Sequence, residues 1–242
     1  MKKILLLLLA SFSYAYEFLN NLSELPVTTQ GSTIYVFDID HTLLEPYSFI
    51  GSEAWFKQLM SKSTDFDQDI ALYNLVQLVT PMTVTESGLS NLVNGLHAQN
   101  HTVFFITSRG PAIQAVTEEQ LRNNALSATS SKDYCSMSAQ HGVCRHNTYF
   151  TAGGNKGLAL LEMLEQFPDF KKSHVIFIDD QAKHLESVSQ ALSRLGVSSQ
   201  VYHYTQSIDK FSAMESQSLE QSFLKLFNKI NNAGELYEDD IS

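Results

Sequence analysis

Three runs of consecutive apolar residues divide the chain, and each stops abruptly at polar ones: Ile34 to Phe37, Thr102 to Ile106 and Val175 to Ile178. Short β-branched and aromatic runs of this kind read as strands buried on both faces, as in a parallel sheet. Gln200 to Tyr204 reads as a further strand. Between the runs the apolar residues recur at helical spacing. Trp55, Phe56, Leu59 and Met60, then Ile70, Leu72, Leu75, Val76 and Val79, predict two helices within 49–80 with a break at Ser61 to Asp67. Leu89, Leu92, Val93 and Leu96 form the apolar face of the next helix, which follows a loop from Pro81. Pro111 opens a helix to about Leu126, as proline in a first turn allows. Helices are also expected after Thr151 to Gly157, over 182–195 and over 211–230. Glu45-Pro46-Tyr47 reads as a turn, and the lead-in before Thr33 as surface structure. Tyr134 to Met137 and Val143 to Phe150 read as two short strands of a hairpin. Strands alternating with helices predict an α/β fold, a doubly wound, mainly parallel sheet with helices on both faces.

The first 15 residues have a different pattern. Lys2 and Lys3, the apolar stretch Ile4 to Ala10 and the small residues of Ser13-Tyr14-Ala15 predict a signal peptide cleaved after Ala15. A membrane span needs about 20 apolar residues, and Ser11 and Ser13 interrupt this run far sooner. The expected organisation is therefore a leader over 1–15 and one domain over 16–242, in a secreted or periplasmic protein. Within that domain fall an insert at about 45–80 and an irregular one at about 127–150. A hydrophobic content of 43% indicates a packed globular protein. The net charge is −10, or −12 without Lys2 and Lys3. Such a surface repels nucleic acid and anionic membranes, and leaves a small phosphorylated molecule, screened by a cation, as the expected partner. Cys135 and Cys144 are the two cysteines, and an even pair enclosing a short loop is a disulfide candidate in an oxidising compartment, with two free thiols as the alternative. Gly234 to Ser242 reads as a disordered acidic tail.

Candidate chemistry lies where the strands end. The first run stops at Asp38-Ile39-Asp40-His41-Thr42, the second at Thr107-Ser108-Arg109-Gly110 and the third at Asp179-Asp180. Lys156 stands at the start of a helix, where free N–H groups also favour anions. The P-loop pattern is absent. Ligands of open α/β sheets bind beyond the carboxyl ends of strands, so these groups are placed for chemistry.

In this order the four stretches resemble the motifs of the haloacid dehalogenase-like (HAD) superfamily, in its phosphatase branch. Finer details (DIDxTLL, GSxxWF, TSRG, GGNKG and FIDD) resemble an uncharacterised secreted HAD-like family of intracellular bacteria. The resemblance implies Asp38 as nucleophile and Asp40 as general acid/base. It also implies Thr107 and the adjoining Ser108, with Lys156, as holders of the phosphoryl group. Mg²⁺ is the implied cofactor, bound by Asp38, the backbone carbonyl of Asp40 and Asp180, with Asp179 beside it. His184 departs from the Asp or Asn that many relatives carry four residues after Asp180. The insert at 45–80 corresponds to a small, mostly helical cap. Tyr47, Phe49, Trp55 and Phe56 are expected to be core between cap and main domain, with substrate contact as the alternative. Arg109 is read as an exposed loop residue, with a reach to an anionic substrate as its alternative. The implied activity is Mg²⁺-dependent hydrolysis of a phosphomonoester through an aspartyl-phosphate. Dehalogenases lack an acid at the position of Asp40, and transporting ATPases carry Thr there. A secreted virulence or interaction protein using the fold as a scaffold, and a phosphotransferase, are the alternative functions.

Overall fold

Alternation along each apolar run decides which side of the sheet a residue faces. In the strand Thr33–Asp38, Ile34 and Val36 join one buried cluster, while Tyr35 and Phe37 join another. A run apolar at every position therefore needs a layer of helices on each side. The structure is a computed structural model that describes residues 16–27, 33–62, 64–129, 133–135, 137–167 and 170–207. The leader, the helix expected over 211–230 and the acidic tail lie outside the described residues.

The strands are β1 (Glu17–Leu19), β2 (Thr33–Asp38), β3 (Leu44–Pro46), β4 (Met82–Val84), β5 (Thr102–Thr107), β6 (Met137–Ala139), β7 (Gly142–Arg145), β8 (Thr148–Phe150), β9 (His174–Asp179) and β10 (Ser199–Tyr204). The α-helices are α1 (Glu53–Lys62), α2 (Phe66–Val79), α3 (Leu89–Ala98), α4 (Gln114–Asn123), α5 (Lys156–Glu165) and α6 (Ala182–Leu195). The main sheet runs β1-β10-β9-β2-β5-β8-β7-β6, and only β7 runs against the other strands. α3 buries Leu89, Val93 and Leu96 against Tyr35, Phe37 and Phe105. On the opposite face α5 and α6 bury Leu160, Leu164, Leu185 and Leu192 against Ile34, Val36 and Phe177. The doubly wound α/β architecture expected from the alternating pattern is present.

Local expectations differ from the structure in three places. Glu45-Pro46 is not a turn: β3 pairs antiparallel with β4, forming a two-stranded base for the helical insert. Proline fits there because an edge position needs no N–H from it, and the next residue, Tyr47, donates its N–H to Pro81 O at 3.1 Å. The lead-in is not merely surface. β1 adds a parallel edge strand beside β10, and Leu19, Leu22 and Leu25 are buried. Helix α4 stops at Asn123, short of Leu126. Ala125 takes a positive φ of 53°, and Leu126 N–H then returns to Leu121 O at 2.9 Å, closing the helix end. Near the cysteines the expectation of two strands holds in part. Tyr134 and Cys135 lie outside any strand, and a turn at His146-Asn147 splits 143–150 into β7 and β8, which form a meander with β6. Cys135 and Cys144 are joined in a disulfide.

Candidate active site

Three neighbouring strands, β9, β2 and β5, end in Asp179, Asp38 and Thr107 respectively. Phe37 lies opposite Ile178, so each strand delivers its acid one residue further on, at the same edge. Lys156 arrives from the first turn of α5, a helix capped by the Asn155 side chain accepting from Leu158 N–H at 3.1 Å. Its buried ammonium donates to Asp38 Oδ1 at 2.5 Å and to Asp179 Oδ2 at 2.7 Å. Asp179 Oδ1 accepts Gln181 N–H at 2.8 Å, so both of its oxygens are engaged. Asp180 Oδ1 is buried without a hydrogen-bond partner.

Oxygens of Asp38, Asp179 and Asp180 all lie within 4.8 Å of one another. Three buried carboxyls thus share one ammonium. Burial, opposed by Lys156 and reinforced by Asp179 and Asp40, pushes Asp38 up to about 8. Burial, then the charges of Asp38 and Asp179, raise Asp180 well above the carboxylate range. Burial also raises Asp179, against the pull of Lys156. Burial alone would lower Lys156, but Asp179 and Asp38 hold its ammonium above the usual lysine range. The cluster is short of positive charge and has an unpaired carboxylate oxygen. A hard divalent cation takes oxygen ligands of this kind, so the residues fit Mg²⁺.

Asp40 stands apart from that cluster because Arg109 claims it. Arg109 Nε donates to Asp40 Oδ2 at 2.9 Å and Nη2 to Oδ1 at 2.7 Å, a bidentate fork. Its third nitrogen, Nη1, donates to Thr117 Oγ1 at 3.0 Å and Gln120 Oε1 at 2.6 Å. Arg109 is therefore not an exposed loop arginine: it is buried, as a guanidinium with every nitrogen bonded can be. Burial would raise Asp40, but the charge and hydrogen bonds of Arg109 outweigh it and hold the carboxyl below its ordinary value. Thr107 Oγ1 lies 3.4 Å from Asp40 Oδ2 as donor and accepts Arg109 N–H at 3.1 Å.

The loop after β5 is tied to the one before α5. Thr151 N–H donates to Thr107 O at 3.0 Å, Ala152 N–H to Arg109 O at 3.1 Å and Gly153 N–H to Ser108 O at 2.8 Å. Ser108 Oγ lies 3.3 Å from His184 Nε2. Burial, with Lys156 and Lys183 nearby, pushes His184 down to about 2, so a neutral imidazole stands four residues after Asp180.

The helical insert reaches the same edge. Glu53 N–H, at the start of α1, donates to His41 Nε2 at 3.3 Å, which leaves the ring proton on Nδ1, 3.2 Å from Ser207 Oγ. Ser207 Oγ in turn donates to Glu45 Oε2 at 3.3 Å. Tyr73 of α2 is raised by burial and by the charge of Asp40, and its ring centroid lies 4.7 Å from that of Phe56. Phe49 and Trp55 are buried in the insert's own core with Val76, whereas Tyr47 is exposed. Asp38, Asp40, Thr107, Lys156, Asp179 and Asp180 therefore meet at one edge, with Ser108 beside His184. The sequence reading missed Tyr73, the Arg109–Asp40 fork and the Ser108–His184 contact. One sequence signal was available for Arg109. Thr117 and Gln120 are polar residues three apart, next to Leu121, on the buried face of α4.

The sequence profile of DUF2608, described as a protein of unknown function, matches residues 17–234. No curated protein is significantly similar in sequence. In structure the chain is similar to the HAD domain of the effector protein Lem4 from Legionella pneumophila, an inactive mutant. The identity is 16% and the TM-score 0.38, over 86% of this chain and 99% of that one. It is also similar to a phospho-aspartyl intermediate analogue of phosphoserine phosphatase, at 12% identity and a TM-score of 0.36, over 76% of this chain and 99% of that one. The mainly parallel sheet, with acids and a lysine converging at one edge, agrees with the α/β fold expected from the sequence.

Proposed function

The chain belongs to the DUF2608 family, and we propose that it is a Mg²⁺-dependent phosphomonoester hydrolase working through an aspartyl-phosphate on Asp38. The observation that carries this reading is the meeting of Asp38, Lys156, Asp179 and Asp180 from three elements in one buried cluster, with Asp40 two residues from Asp38. Asp38 Oδ attacks phosphorus, and the alcohol departs with a proton from Asp40 in its protonated form, which the Arg109 fork disfavours in the unliganded site and the arriving phosphoryl dianion favours. Asp40 then takes a proton from the water that attacks the phosphorus of the aspartyl-phosphate, which releases inorganic phosphate and regenerates Asp38. Lys156 neutralises charge at the nucleophile, and Thr107 and Ser108 offer hydroxyl and backbone N–H groups to the phosphoryl oxygens. Bound Mg²⁺ would supply Lewis-acid neutralisation of those oxygens, held by Asp38, the Asp40 carbonyl and Asp180, with Asp179 adjoining.

The helical insert acts as a cap, presenting Tyr73 and Phe56 to the leaving group. A small phosphorylated molecule is the proposed substrate, and neither nucleic acid nor a membrane is a proposed partner. The Cys135–Cys144 disulfide supports an oxidising compartment, in keeping with removal of residues 1–15 and export.

The test is p-nitrophenyl phosphate hydrolysis across a Mg²⁺ titration, with folding followed by circular dichroism. Asp38→Asn should abolish turnover with the fold intact. Asp40→Asn should cost about 10²- to 10⁴-fold, the range for loss of a general acid/base. Asp180→Ala should raise the Mg²⁺ concentration needed. Activity that survives both EDTA and Asp38→Asn would overturn the mechanism, and a wild type inert toward every phosphate ester would favour the scaffold role.

A further inference from the structure

Gln120 joins the exit of the helical insert to Arg109, and Arg109 in turn holds Asp40. The Gln120 amide is fully used: Oε1 accepts from Arg109 Nη1 at 2.6 Å, while Nε2 donates to Gln77 O at 3.0 Å and Thr80 O at 3.2 Å. Those two carbonyls belong to the last turn of α2 and its cap, where the chain leaves the insert. Gln77 Nε2 donates to Gly51 O at 3.0 Å, just before α1, where the chain enters it. Gly51 has a φ of +89°, and a Cβ added there would meet Thr80 Oγ1 at 2.7 Å. Entry and exit are thus packed together, and Gln120 binds the exit. Gln120 and Gln77 are buried, so each of these bonds is worth more than its exposed counterpart and costs more to leave unmade.

The buried Gln120 oxygen and the second Nη1 N–H of Arg109 satisfy each other, so one amide joins the end of α2 to the guanidinium that forks Asp40. We infer that Gln120 is a positioning residue that transmits the seating of the helical insert, through Arg109, to the carboxylate of Asp40. Its catalytic consequence rests on the reading of Asp40 as general acid/base. When the insert is seated, Gln77 O and Thr80 O orient the Gln120 amide. The amide holds Nη1, and the planar guanidinium aims its remaining N–H groups at Asp40. Displacing the exit of α2 rotates the amide and lets the fork, and Asp40 with it, swing.

Two variants separate the halves of the relay. Gln120→Leu removes both links. Gln120→Glu keeps an acceptor for Arg109 but sets a carboxylate against Gln77 O and Thr80 O. Asn124→Ala is the control, since Asn124 Nδ2 donates to Met82 O at 3.2 Å and to the backbone O of Gln120 at 2.8 Å without touching Arg109 or the Gln120 side-chain amide. Both Gln120 variants should lower kcat on p-nitrophenyl phosphate about 10-fold or more, with KM within about twofold, the signature of a displaced reacting group. Asn124→Ala should leave kcat unchanged. A Gln120→Glu variant with wild-type kcat, or an Asn124→Ala variant as slow as Gln120→Leu, would overturn the inference.

A second measurement is independent of turnover. The Arg109 Nε–H resonance of ¹⁵N-labelled full chain should shift when Gly51→Ala displaces the insert, and should not respond to Gly51→Ala in a Gln120→Leu background. A resonance indifferent to Gly51→Ala overturns the coupling. A wild type inert toward phosphate esters would count against the hydrolase reading alone, and the resonance would then decide whether Gln120 links insert and Asp40.

Discussion

At the scale of single residues, the site is governed by a deficit of positive charge. Asp38, Asp179 and Asp180 are all raised, Asp38 to about 8, because burial penalises their charge and, among the described residues, Lys156 is the one cation bonded into their cluster. A carboxyl whose folded pKa lies above its unfolded value of 3.8 binds extra protons on folding. In the metal-free protein these groups therefore favour the folded state increasingly as pH falls from about 8 toward the unfolded value. A cation must displace the same protons, so its apparent affinity runs the other way. Millimolar Mg²⁺ should raise the melting temperature more at roughly pH 8.5 than at roughly pH 6, since Asp38 lies near 8 between them. Asp180→Asn should remove most of that increment, as it replaces the carboxylate oxygen that has no partner. Thermal unfolding with and without the ion at the two pH values checks this. An equal or larger shift at the lower pH would contradict the assignment of the cluster to a cation.

At the scale of elements, the placement of Lys156 depends on how closely α5 approaches α6. Gly157 follows Lys156, and a Cβ there would lie 2.2 Å from Ser187 O on α6. That oxygen is backbone and has no flexible end to swing aside. Gly157→Ala must push α5 outward, an overpacking that typically costs about 1–3 kcal/mol. For a chain of this size it should lower the melting temperature by about 2–4 °C per kcal/mol. The displacement also draws Lys156 Nζ away from Asp38 and Asp179. Turnover of the folded variant should therefore fall by more than the population of unfolded protein explains. Gly95→Ala in α3, where an added Cβ meets nothing within 4 Å, is the matched comparison and should leave both quantities nearly unchanged.

At the scale of the whole molecule, the proposed leader over 1–15 and the Cys135–Cys144 disulfide lead to linked predictions about where the chain folds. Intact-mass measurement of exported protein should give a start at Tyr16, the residue after the proposed cleavage at Ala15. Thiol labelling of the unreduced, denatured protein should find no reactive cysteine, since Cys135 and Cys144 are joined across a separation of 9 residues. Reduction should lower stability by roughly 2–3 kcal/mol, the loop-closure value for so short a span. Retention of Met1 in a reduced cytosolic pool would contradict both. Among the described residues, no helix is long and apolar enough to cross a membrane.

What the sequence by itself determined is what side-chain periodicity encodes locally. Ile34 to Phe37 and Val175 to Ile178 are strands because an unbroken apolar run can be buried only between two layers. Their ends are legible because Asp38 and Asp179 break the run. The helices at 53–62, 66–79 and 182–195 follow from apolar spacing in the same way. The identity and order of the acids, with Lys156, carried the family resemblance and hence the expected roles. Tertiary structure alone decided which charge meets which. Lys156 reaches Asp38 across 118 residues, Arg109 reaches Asp40 across 69 and His184 reaches Ser108 across 76. No local pattern carries those pairings. An arginine after a strand looks exposed by composition, and its burial depends on four acceptor oxygens brought by Asp40, Thr117 and Gln120. The strand at Glu45-Pro46 was hidden for a related reason. Its partner Met82–Val84 lies beyond the whole insert, and pairing between such distant segments is set by how the insert closes, which neither segment's own residues specify.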